Sequence, residues 1–165
     1  MNDAMTQLYQ QVILDHARER HGYGLVAPHA GESFQVNPTC GDEIRLRVHL
    51  DVTGTAPMIE KVSWEGVGCS ISQASASVLT DLVRQVSVSE ADQLAETFRA
   101  LMNNRGRSLS AEQDEMLGDA AAFTGVAQYP ARIKCALLGW MALRDALAHA
   151  LTQGARPGEE RDEQR

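Results

Sequence analysis

Residues 43–51, Glu43-Ile44-Arg45-Leu46-Arg47-Val48-His49-Leu50-Asp51, alternate polar and apolar without a fault. Successive side chains of a strand point to opposite sides. Ile44, Leu46, Val48 and Leu50 therefore share one face, and Arg45, Arg47 and His49 the other. One buried and one solvated face is the pattern of an antiparallel strand. No other segment of the chain carries so strong a strand signal.

Immediately upstream, Asn37-Pro38-Thr39-Cys40-Gly41-Asp42 is turn chemistry. Before it, Phe34 and Val36 alternate with polar neighbours until Pro38 ends the run. Downstream, Gly54 and Pro57 make a turn, and Ile59 to Val67 reads as a third strand ending in Gly66-Val67-Gly68. Short sequential strands with no helix between them predict an antiparallel meander.

The flanks are helical. Met5, Leu8, Tyr9, Val12, Ile13 and Ala17 form a stripe between Asp3, placed as an N-cap, and about Arg20; Gly22 and Gly24 stop it. Cys69 to about Gln85 is rich in Ser and Ala, and its Ser70, Ser72, Ser75 and Ser77 suit close helix packing. Ser87 with Glu90 and Ser110 with Gln113 have capping-box spacing and open two further helices. Gly118 and Gly125 punctuate the stretch after the second. Pro130 suits the first turn of a last helix running to about Gln153. On it, Ile133, Leu137, Trp140, Leu147 and Leu151 fall on one side and Cys135 roughly opposite. The expected fold is α+β, a small three-stranded antiparallel sheet with helices packed mainly on one face. Residues 1–153 are expected to form one domain, and the acidic tail 154–165 to be disordered.

Composition narrows the function. With 15 Lys and Arg against 22 Asp and Glu, the formal charge is −7, which argues against a nucleic-acid partner. Apolar runs are too short to span a bilayer. Met1-Asn2-Asp3-Ala4-Met5 has no basic segment leading into an apolar one, so a soluble cytoplasmic protein is expected.

Three cysteines cannot complete a set of internal disulfides. They are buried small hydrophobes, reactive thiols or metal ligands. Cys40 sits in turn chemistry and belongs near the surface, where Asp42 can point at the same spot. Cys69 follows Gly-Val-Gly and begins a helix, whose N–H groups favour a thiolate. Cys135 follows Arg132-Ile133-Lys134, two cations that do the same. Three thiolates and a carboxylate make a plausible tetrahedral zinc shell, although no C-x-x-C pair marks it. His16, His49 and His149 read as surface or structural residues. A Cys/His nucleophilic pair stays open, because such partners need not be close in sequence.

Three stretches taken together resemble the signatures of the SufU/IscU iron–sulfur assembly family, which is NifU N-terminal-like: Asn37–Asp42, Gly66–Ser75 and Tyr129–Cys135. Val12-Ile13-Leu14-Asp15-His16 fits as well, though the proline expected after the Asp-His pair is missing. The SufU branch is the better match. IscU-type scaffolds carry a histidine where this chain has Lys134, and the long gap between Cys69 and Cys135 resembles the SufU-type insertion. That resemblance implies Zn2+ held by Cys40, Asp42, Cys69 and Cys135. It also implies Cys40 as acceptor of persulfide sulfur, with a partner histidine displacing Cys40 from the zinc, and a helping role for Arg132. The implied partners are a pyridoxal-phosphate cysteine desulfurase (SufS-type) and a downstream cluster-assembly complex (SufBCD-type). The chain would then be a sulfurtransferase-like carrier and desulfurase activator. The alternatives are an iron–sulfur scaffold on the same residues, or a structural-zinc activator of the desulfurase.

Overall fold

Strand β2 (Asp42–Asp51) is an inner strand of the sheet in the computed structural model, which describes residues 3–153, so the tail 154–165 lies outside the described residues. It pairs antiparallel with β1 (Gly31–Asn37) on one side and β3 (Met58–Val67) on the other. Register sets Leu46 opposite Trp64 and Val48 opposite Val62, so these four buried side chains face the same way. The meander is as expected, but among the described residues the sheet has four strands, not three. Val86–Ser87 forms β4 and pairs with Met58 and Ile59. Two residues are too few to show alternation, and only the meeting with the start of β3 makes them a strand.

The described residues also form six helical segments. They are α1 (Asp3–Glu19), α2 (Ser70–Leu82), α3 (Val88–Met102), α4 (Ala111–Leu117), a 3-10 helix (Gly118–Gln128) and α5 (Pro130–Thr152). Of these, α5, α2 and α3 touch the sheet and the others pack on helices. Asp3, expected as a cap, is instead the first described helical residue, and its carboxylate lies in the positively charged first turn. Both capping boxes are formed: Ser87 accepts from Glu90 N–H and Ser110 from Gln113 N–H, and each partner side chain reaches back. Neither the sequence pattern nor its glycines identify the 3-10 helix as core, yet Ala120–Thr124, Val126 and Ala127 are buried there.

Helix α5 lies along β1 and β2 and packs on its other sides against α2, α3 and the 3-10 helix, with α1 lying on α2 and the 3-10 helix. Its first half is buried on several sides, Cys135, Ala136, Leu138, Gly139 and Trp140 included. That matches an apolar pattern running all round the helix. Leu151, expected in the apolar row, is exposed, because it lies one turn beyond Leu147, the last buried member of that row. The serines of α2 pack as expected: Ser75 and Ser77 are wholly buried, and Ser75 Oγ donates to Ala136 O at 2.6 Å. Gly139 lies against Ala76, where an added Cβ would fall 3.5 Å from the Ala76 Cα.

His49 keeps the face on which alternation puts it but is buried there, being 5 % exposed. The connection from α1 to β1 folds over this face. Its Pro28 carbonyl lies 2.8 Å from His49 Nδ1, and Ser63 Oγ lies 2.9 Å from Nε2. Burial holds the imidazole below its ordinary value; Lys61 and His29 add to this, while the Pro28 carbonyl and Glu60 oppose it. With a depressed folded value, the unfolded chain takes up the proton first. Stability is therefore fully present above the ordinary 6.5 and is lost as pH falls below it. Thermal midpoints should fall on acidification from about pH 7 to about pH 5, with a shallower slope in His49→Gln. An unchanged slope in that variant would assign the acid sensitivity to another group.

Candidate metal centre

The β1–β2 turn is held by its own side chains. Asn37 Oδ1 accepts Thr39 N–H at 3.2 Å, and Gly41 N–H donates to Asn37 O at 2.8 Å. Gly41 has φ +78°, a left-handed conformation that glycine adopts without a Cβ penalty. The turn presents Cys40 to solvent and tucks Asp42, the first residue of β2, to 2 % exposure. The end of β3 then delivers Cys69 as the N-cap of α2, without a side-chain capping bond. Cys135 arrives from the second turn of α5 and is buried.

Three of these residues meet directly, and Cys69 stands beside them. The ligand atoms of Cys40, Asp42 and Cys135 lie within 4.8 Å of one another, and the Cys40 and Cys135 sulfurs are 3.4 Å apart. Cys69 joins through Asp42: its N–H donates to Oδ1 at 3.1 Å and its Sγ lies 3.7 Å from Oδ2. Asn37 Nδ2 donates to Cys40 Sγ at 3.1 Å, a contact the motifs do not announce. Gly68 is part of the cradle, because a Cβ there would fall 2.7 Å from Asp42 Oδ1 and 2.4 Å from Ser72 Oγ.

Electrostatics follow from this crowding. Burial pushes the Asp42 carboxyl up, but hydrogen bonds from Cys135, Cys40 and Cys69 outweigh it and hold it below its ordinary value. Burial raises the Cys135 thiol well above the cysteine range, and its contacts with Asp42, Cys40 and Cys69 add to the rise. A divalent cation at the centre reverses that balance by favouring thiolates outright.

The donor set fits zinc. Zn–S bonds near ~2.3 Å and Zn–O bonds near ~2.0 Å imply tetrahedral edges of about 3.8 Å for S···S and about 3.5 Å for S···O. The 3.4 Å sulfur pair and the 3.7 Å Cys69–Asp42 pair lie within a few tenths of an ångström of those values.

Arg132 is brought near the cluster but not into it. Its guanidinium lies 5.5 Å from the Tyr129 ring centroid. It borders a groove of about 720 Å³ that Cys69 also lines, with Tyr9, Ile13, Leu14 and Ile71 as apolar walls. Lys134 is exposed beside Cys135.

An α+β domain that gathers three thiols and one carboxylate from a turn, a helix cap and a long helix has the donor set of a small thiolate metal centre. The chain belongs to the NifU-like N terminal domain family, whose model matches residues 8–136. It is 38 % identical over 150 residues to the zinc-dependent sulfurtransferase SufU of Bacillus subtilis, covering 89 % of this chain and 94 % of that one. It is 39 % identical over 144 residues to the iron–sulfur cluster assembly scaffold protein IscU of Streptococcus pyogenes, covering 87 % and 84 %. A solved structure from Fervidobacterium islandicum, described as a candidate iron–sulfur cluster assembly scaffold protein for the SUF system, superposes with TM-score 0.71 at 30 % identity. That match covers 86 % of this chain and 97 % of the other.

Proposed function

We propose that this chain is a zinc-dependent sulfur-transfer protein of iron–sulfur cluster assembly, accepting persulfide sulfur from a cysteine desulfurase on Cys40. The observation that carries the reading is the convergence of Cys40, Asp42, Cys69 and Cys135, with a lysine rather than a histidine at position 134. The SufU name of the Bacillus relative supports it.

These four residues would hold the zinc, which supplies charge that keeps the thiols deprotonated and, being redox-inert, leaves a persulfide unoxidised. Among the ligands, Cys40 is the one suited to leave. Cys40 and Cys69 are both exposed, but Cys40 sits in a glycine turn whereas Cys69 caps α2 with its N–H bonded to Asp42, and Cys135 is buried. The Cys40 thiolate attacks the outer sulfur of the desulfurase persulfide. A new S–S bond forms at Cys40, the old one breaks, and the desulfurase cysteine departs as a thiolate. No net oxidation occurs. The groove beside Cys69 offers apolar walls for the partner's loop, and Arg132 at its rim would steady the incoming persulfide.

Delivery to a cluster-building complex of the SufBCD type, with a SufS-type donor, completes the reading. Reducing cytoplasm is the setting in which three free thiols persist. Among the described residues no helix is long and apolar enough to cross a membrane.

The test is anaerobic purification of the untagged protein. A colourless product whose zinc, at about one ion per thiolate centre, is released by mercurial titration of the thiols is expected. A brown protein with iron and labile sulfide but no thiol-bound zinc would establish the scaffold role instead.

A further inference from the structure

We propose a second metal site, formed by His16, His21 and Asp81, that takes a divalent transition cation of the zinc, nickel or copper kind. One ligand atom from each lies within 4.8 Å of the other two. None is a cysteine, so the site is chemically distinct from the thiolate centre. His21 Nδ1 is 2.7 Å from Asp81 Oδ2. Ser77 Oγ lies 2.7 Å from His16 Nδ1 and also accepts the His21 backbone N–H at 2.9 Å. That shared hydroxyl joins His16 Nδ1 to the His21 backbone, and an ion bound through Nδ1 would take the place of the Ser77 hydrogen bond. The two rings meet edge to face, with centroids 5.0 Å apart.

A second observation concerns the outward nitrogens. His16 Nε2 is 3.0 Å from Asp119 Oδ2, and His21 Nε2 is 2.9 Å from Glu19 Oε1. His21 thus turns Nδ1 to Asp81 and Nε2 to a carboxylate, and His16 turns Nδ1 to the Ser77 hydroxyl and Nε2 to a carboxylate. Metal-bound histidines are oriented in this way, because the outer carboxylate fixes the tautomer and raises ligand basicity. Imidazole and carboxylate donors together select borderline transition cations over magnesium or calcium.

Access and adjustment are both available. His16 is buried, whereas the side chains of His21 and Asp81 are 38 % and 52 % exposed. Solvent can therefore complete the coordination shell. In a tetrahedral shell the 2.7 Å His21–Asp81 separation would open to about 3.3 Å, which a half-exposed carboxylate permits. The bound ion would clip the end of α1 to α2, the two helices that flank the groove beside Cys69.

Cobalt titration of the metal-stripped, untagged protein at about pH 7.5, where free imidazoles are neutral, tests this. Wild type should bind two equivalents. One brings sulfur-to-cobalt charge-transfer bands from the thiolate centre, and the other only weak visible absorption. His21→Ala and Asp81→Asn should each remove the second equivalent and leave the thiolate bands intact, which also reports a folded chain. Glu19→Gln should weaken the second event about 10–100-fold. If His21→Ala loses the thiolate bands, Asp81→Asn, nearly isosteric and half-exposed, decides alone. A single, thiolate-only equivalent in wild type would overturn the assignment, as would a second equivalent that survives Asp81→Asn. Because the thiolate bands are read separately, neither result bears on the sulfur-transfer reading.

Discussion

Cys40→Ser should accept no sulfur. After incubation with a cysteine desulfurase and cysteine, the intact mass of the wild-type chain rises by one sulfur atom, while that of the variant stays at its starting value. Serine keeps the size of the side chain but replaces a thiolate, which attacks sulfane sulfur readily, with a hydroxyl that stays protonated near neutrality. The other two thiols do not substitute. Cys135 is buried, and Cys69, though exposed, is tied to Asp42 through both its N–H and its sulfur. Zinc content should fall as well, since one of four ligands is lost. Sulfur found on Cys69 or Cys135 of the variant would move the acceptor role away from the β1–β2 turn. A wild-type chain that carries zinc yet never gains sulfur would leave it as a structural-zinc activator.

Phe98→Ala should destabilise the fold by about 3–5 kcal/mol, the range for emptying a large aromatic site in a core. Phe98 is fully buried on α3. It stacks on Trp140 of α5 at 5.0 Å between centroids and 19° between planes, and it meets Phe123 of the 3-10 helix edge-on at 5.7 Å. One ring therefore joins three segments, and no neighbour can fill its place without moving another. At about 2–4 °C per kcal/mol for a chain of this size, the calorimetric midpoint should drop by roughly 6–20 °C. A drop of less than about 2 °C would show that the three segments hold together without the ring.

Much of this architecture is legible residue by residue. The alternation at Ile44, Leu46, Val48 and Leu50 sets both the strand and its buried face. The Ser87 and Ser110 capping boxes mark their helix starts to the residue. These are short-range signals, and the structure uses them as written. What stayed hidden depends on neighbours distant in sequence. β4 exists because the start of β3 lies beside it. His49 is buried because the Pro28 loop and Ser63 take its two nitrogens. The 3-10 helix has no periodicity to read, yet it is core because α1, α3 and α5 close over it.

The same division runs through the site. Sequence alone determined the α+β class, the turn chemistry around Cys40, the helix start at Cys69 and the absence of a histidine before Cys135. Local backbone preferences and side-chain type are sufficient for each of these. Only the tertiary structure decided that Cys40, Cys135 and Asp42 meet with Cys69 beside Asp42, that Cys135 is the buried thiol, and that Arg132 lines a groove rather than standing among the ligands. It also decided that His16 and His21 turn their outer nitrogens to carboxylates. Separation along the chain carries no distance information. It takes the packing of α5 on the sheet, and of α1 on α2, to turn scattered residues into sites.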